Sequence, residues 1–297
     1  MFVLLGASDD PCLLAVSRAL AARSRETRTI RHPFMDPACT AWRFDRSRSD
    51  TALTIAGETV AIDGVLAARR IPSTVAPSAE WSQQDLAYNQ AEVEAALLGW
   101  LWGLPCPVID RPPAWSWYGM RRPILVWGPL LRQHGLPALD SVVTGDAGEI
   151  TQFLAPQGGA AIELTNGYGA RQLVPQTRAN EIAEHAPLAP IRLTELHQGA
   201  WRACIAGPQL IWDDGTPDAA RPLSARLRAF AAAVGLRFAE FIVTSDERPR
   251  LVDIELRPRF EAFGPLAQQA IAEGVVDALT QHDAIPQETE AFAWVAP

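Results

Sequence analysis

A chain of 297 residues, 48% hydrophobic and 20% charged, is long enough to bury several cores and too apolar for wholesale disorder. Its formal net charge is −8, and no stripe of arginines alternates with aromatics, which argues against a general nucleic-acid binder. The opening Met1-Phe2-Val3-Leu4-Leu5-Gly6 meets Asp9 and Asp10 at once, and no apolar run approaches the roughly 20 residues of a membrane span. The expectation is a cytoplasmic protein with no nucleic-acid and no membrane partner. Cys12, Cys39, Cys106 and Cys204 are scattered without Cys-x-x-Cys spacing, so reduced thiols are expected and a zinc site is not.

In chain order, an apolar strand over 2–6, the cap Ser8-Asp9-Asp10-Pro11, a helix over 13–22 and a strand over 27–31 form a β-α-β opening. Its first turn has no Gly-x-Gly-x-x-Gly, the phosphate cradle of a dinucleotide fold. Alternating segments over 41–44, 52–55 and 59–62 predict hairpins, and 64–70 predicts a strand ending in Arg69-Arg70. A helix over 82–102 and a proline-rich connection over 105–113 close a first lobe spanning 1–118. A second lobe over 119–189 holds a helix at 123–134, a strand at 141–144, a helix at 146–153, strands at 160–164 and 171–174, and a polar helix at 179–185. The third lobe, 190–297, has strands at 191–196 and 201–206, a helix at 223–234, strands at 238–244 and 250–256, and a closing helix at 265–281.

All 26 basic residues are arginine. Codon bias accounts for that composition, but its chemical consequence stands either way. No Schiff base, lysine general base or lysine phosphate clamp exists here, and any phosphate or carboxylate must meet arginine forks or backbone amides.

This order of elements, with Arg69-Arg70, Gly135-Leu136-Pro137, Thr194-Glu195-Leu196-His197-Gln198-Gly199-Ala200-Trp201-Arg202 and Asp253-Ile254-Glu255-Leu256-Arg257-Pro258, resembles the ATP-grasp ligases over nearly the whole chain. The RimK-like and microviridin-type peptide ligases are most similar. The resemblance implies an α/β fold, with an N-terminal pre-ATP-grasp β-α-β lobe followed by two α+β lobes enclosing a cleft. It implies ATP and Mg2+ as cofactors and a peptide or small-molecule substrate. The carboxylate would be activated as an acyl phosphate and captured by an amine, hydroxyl or thiol.

Residue by residue, the resemblance places Arg202 on the phosphates as the catalytic cation and Glu195 at the hinge over the nucleotide, with Arg121 and Arg122 near the position of a first lysine. Asp253 and Glu255, two apart on one strand, would hold the metal, and Arg69, Arg70 and Arg257 would meet a substrate carboxylate. Two departures stand inside that site. Glu163 takes the place of a second lysine, and Arg257 that of a metal-strand asparagine. They reverse the field at the triphosphate and the metal, unless Glu163 and Arg257 pair across the cleft.

Each assignment has a plainer counterpart. Arg202 is equally an ordinary strand arginine, Asp253 and Glu255 pair readily with Arg257 and Arg259, and Asn166-Gly167-Tyr168-Gly169 is a common hairpin turn. The tryptophans around Trp100, Trp102, Trp115, Trp117 and Trp127 fit core packing before a peptide groove. Two functions stay open: a diverged ATP-grasp ligase, and an inactive pseudo-ligase that binds a peptide or a protein partner, or assembles as a homodimer.

Overall fold

The computed structural model describes residues 1–31, 39–43, 52–55, 57–67, 81–109, 124–155, 159–164, 172–175, 191–197 and 199–281. Its first strand, β1 (Phe2–Leu5), is apolar at every position and buried throughout, as a strand covered on both faces must be. It lies inside a parallel sheet of order β2-β1-β6-β7, with β2 Thr27–Ile30, β6 Gly64–Ala67 and β7 Val108–Ile109. The proline-rich connection expected over 105–113 therefore begins with an edge strand. β6 itself ends at Ala67, and Arg69-Arg70 lies outside the described residues.

Helix α1 (Pro11–Ala22) starts where the sequence signals it. The Asp10 carboxylate accepts from the amides of Cys12 and Leu13 at 2.9 and 3.0 Å, and Pro11 occupies the first turn. Leu13, Val16 and Leu20 pack over one face of the sheet, against Phe2 and Leu4. The other face is covered by the last turns of α2 (Gln83–Gly103), where Leu97, Trp100 and Leu101 meet Val3, Leu5 and Val65. The antiparallel β3 (Cys39–Arg43), β4 (Ala52–Ile55) and β5 (Glu58–Val60) form a satellite whose Leu53 and Ile55 join that core.

The second sheet, of order β10-β9-β11-β8, is antiparallel throughout: β8 Ser141–Thr144, β9 Gly159–Leu164, β10 Gln172–Pro175 and β11 Ile191–Thr194. Ile191 and Leu193 point to α4 (Ala147–Leu154), where Ile150 and Leu154 receive them. β11 falls just beyond the lobe boundary expected at 189. β11 pairs with β9 and β8, so the second sheet closes at Thr194. Helix α3 (Ile124–Gln133), expected in the second lobe, packs Trp127 and Leu131 into the core of the third because its apolar side fits against Ala203, Phe241 and Ile254. The helix expected over 179–185 and the glycine loop over 165–170 lie outside the described residues.

The third sheet has the order β13-β12-β14-β15, with β12 Ala200–Ala206, β13 Gln209–Trp212, β14 Phe238–Thr244 and β15 Leu251–Glu255, all antiparallel. α5 (Ser224–Ala233) joins α3 beneath one face, where Phe230 meets Trp127 and Phe241 edge-on at centroid distances of 5.6 and 6.3 Å. α6 (Pro265–Thr280) covers one end of the opposite face and shares a core with α1 and β1, joining the first and third lobes. No helix among the described residues is long and apolar enough to cross a membrane.

Candidate functional site

Strand alternation divides the third sheet. Ala203, Ile205, Ala239, Phe241 and Val243 enter the core with α3 and α5, so Arg202, Cys204, Glu240 and Ile242 belong to the other face. Cys204 and Phe238 are packed under α6 at one end of that face, and the side chains farther along are charged. The register sets Cys204 opposite Glu240, Arg202 opposite Ile242, Glu240 opposite Glu255 and Ile242 opposite Asp253.

Glu240 is fully buried, with 0% of its surface exposed. Its Oε1 accepts from Nη1 of Arg202 and, at 3.5 Å, from Nη2 of Arg259. Its Oε2 accepts from the backbone amide of Arg259 at 2.9 Å. One carboxylate thus gathers two guanidinium groups, whose side chains keep 25% and 34% of their surface in solvent. Glu255 is buried beside it on the neighbouring strand, while Asp253 and Arg257 are half-buried. An Asp253 oxygen accepts from the amide of Ile254 at 2.9 Å.

Glu195 leaves the second sheet just after β11. Both its oxygens are taken by Arg250, Nη1 to Oε2 at 2.6 Å and Nη2 to Oε1 at 2.7 Å. These bonds from Arg250 hold the Glu195 carboxyl below the usual carboxylate range, burial opposing, and raise the Arg250 guanidinium in turn. The Glu195 amide donates to Asp140 at 3.0 Å, and Leu251 exchanges backbone bonds with Pro137 and Leu139 at 2.7 and 2.9 Å. Both crossings between second and third sheets are therefore fastened to β15.

On the second sheet, Ile191 and Leu193 face α4, leaving Arg192 and Thr194 on the opposite face. Arg192 is 7% exposed, and the register places Glu163 directly opposite it on β9 and Val143 on β8. Thr194 accepts from the Ser141 hydroxyl at 3.2 Å.

The expected site residues thus fall into groups. Arg202 joins Glu240 and Arg259, Glu195 joins Arg250, and Asp253 and Glu255 share a strand with Glu255 set against Glu240. Arg69, Arg70, Arg121 and Arg122 lie outside the described residues. Among the described residues no three His, Cys, Asp or Glu side chains come together as a metal-ligand group. Glu240 was not singled out in the sequence, although a lone acid inside Phe-Ala-Glu-Phe-Ile-Val-Thr is itself a signal, since an apolar strand buries a carboxylate only beside a partner. Arg250 has no such signal, and Arg259, expected beside Asp253 and Glu255, donates to Glu240.

Over about 94% of its length the chain has the ATP-grasp fold. It is similar to the ATP-grasp ligase PsnB, solved with a minimal precursor variant, Mg and ADP, at 20% identity and a TM-score of 0.73, covering 94% of this chain and 97% of that one. The macrocyclase MdnC from Microcystis aeruginosa MRC, bound with precursor peptide MdnA, is 16% identical at a TM-score of 0.74, over 93% of this chain and all of its own, 100%. A RimK-domain ATP-grasp protein from Sphaerobacter thermophilus DSM 20745 is 17% identical at 0.59, over 95% and 100%. No protein-family model and no curated protein matches the sequence.

Proposed function

We propose that the protein is a peptide-binding member of the ATP-grasp architecture that has given up ATP-dependent carboxylate activation. The observation that carries this is the strand register that sets Glu163 of β9 opposite Arg192 of β11, in a chain without lysine. Where the resemblance implies a lysine above the triphosphate, the sequence has an acid, and the residue in register with it on the neighbouring strand is an arginine, so the two positions sum to no net charge. A wall of that kind offers a triphosphate little attraction.

A peptide ligand is supported by likeness over 93% of the chain to MdnC, which was solved with its precursor peptide. The cleft walls would bind and orient that peptide through arginine forks and backbone amides. The rival function, a working ligase joining a carboxylate to an amine, hydroxyl or thiol, is favoured by likeness to PsnB with Mg and ADP. Arg202 and Glu195 would then contact the nucleotide, and Asp253 and Glu255 the metal.

Calorimetric titration separates the two. The expected result is saturable binding of a peptide selected from a random display library, with no ATP binding in the micromolar range with or without Mg2+. ATP·Mg2+ binding in the low micromolar range, together with peptide-dependent ADP release, would restore the ligase.

A further inference from the structure

We propose that the guanidinium groups of Arg202 and Arg259 are permanent counter-ions to the buried Glu240 carboxylate, beside the strand on which the resemblance implies a divalent cation. This goes beyond peptide binding and rests on the contacts of Glu240 rather than on that reading.

Glu240 and Glu255 are directly opposite each other on adjacent antiparallel strands, and both are buried. Side chains so placed have Cβ atoms about 4.5–5.5 Å apart. Two buried acids on one face of adjacent strands favour positive charge between or beside them. A metal ion is one solution and arginine is the other.

The donor set decides between them. A carboxylate ligand to Mg2+ must turn a lone pair to an open position at about 2.0–2.1 Å within a near-octahedral shell. Glu240 has no exposed surface, and its two oxygens already accept from Arg202 and Arg259, side chain and backbone. A divalent ion would have to displace both guanidinium groups and then sit beside them. The residues present do not fit Mg2+ at Glu240.

Fixed guanidinium charges do something a mobile ion does not. The solvent-facing parts of Arg202 and Arg259 remain able to donate to an entering anion without metal. Glu240 takes up part of their charge and thereby sets how strongly an anion is held.

The test is a Mn2+ titration of the full chain, followed by electron paramagnetic resonance. The wild type should show no saturable Mn2+ binding at millimolar concentration. Arg202→Gln with Arg259→Asn should create a saturable site, because it removes both guanidinium groups from Glu240. Saturable Mn2+ binding by the wild type that Glu240→Gln abolishes would overturn the proposal, as would a folded double variant that binds none. Should that variant fail to fold, Glu240→Gln carries the test. Releasing both arginines should tighten metal-free inorganic pyrophosphate binding about tenfold or more, the scale of one charge-assisted contact. Unchanged pyrophosphate affinity in that variant would also overturn it.

Discussion

Glu195 and Arg250 meet in a two-bond fork, at 2.6 and 2.7 Å, that ties the strand leaving the second sheet to the start of β15. Planar carboxylate and planar guanidinium match in this geometry, so the contact fixes orientation as well as distance. Thr244 receives the Arg250 amide at 3.0 Å and Asp246 lies 3.9 Å from its guanidinium, so the arginine is positioned from its own hairpin.

Arg250→Ala should therefore loosen the crossing more than the core. With both partners partly exposed, the expected loss is toward the lower end of a charge-assisted pair, about 1–2 kcal/mol. Amide hydrogen exchange over 191–197 should quicken while that of α6 stays unchanged. Uniform quickening in both places would mean that the fork supports the whole fold and not the crossing.

The same fork sets an acid limb. Glu195 is held below the ordinary carboxylate range by Arg250, so its contribution is present above the unfolded-state pKa and is lost as pH falls through the folded one. Urea midpoints measured from neutral pH down through the carboxylate range should fall less steeply for Glu195→Gln than for wild type. Parallel curves would assign the acid limb to other carboxylates.

Arg202 and Glu240 should be coupled. Arg202→Ala leaves a fully buried carboxylate with Arg259 alone, at an expected cost of about 2–3 kcal/mol. In a double-mutant cycle with Glu240→Gln, the coupling energy should exceed about 1 kcal/mol. Additive effects would show that Arg259 alone neutralises Glu240.

Much of this fold was legible because its signals are local. Asp10-Pro11 marks the start of α1, the Ser82 and Asp85 capping box marks that of α2, and strand alternation marks β14 and β15. What could not be read was pairing. Ile191-Arg192-Leu193-Thr194 reads as a strand whichever sheet it joins, and only its register with β9 and β8 puts it in the second lobe. The same limit hid the charge partners: Arg259 lies 19 positions from Glu240, and Arg250 lies 55 from Glu195. Asp253, two residues from Glu255, shares its strand and face by alternation. The carboxylate set beside Glu255 comes instead from the neighbouring strand.

Gly207 tests how tightly the third sheet is set against α6. It turns the chain between β12 and β13 with φ at +58°, in the left-handed region that costs an L-residue roughly 1–2 kcal/mol. A Cβ built there would lie 2.8 Å from the Ala278 Cβ and 3.2 Å from the Gly274 carbonyl oxygen, both on a helix that also packs against α1 and β1. Backbone on one side and a buried methyl on the other leave nothing flexible to yield, which adds about 1–3 kcal/mol of overpacking. Gly207→Ala should thus cost about 2–5 kcal/mol in urea denaturation. Gly215→Ala supplies the control, because φ there is +79° and nothing lies within 4 Å of the added Cβ. It should cost only the backbone share. If the two variants lose equal stability, the close approach of the β12–β13 turn to α6 is not a real constraint on the fold.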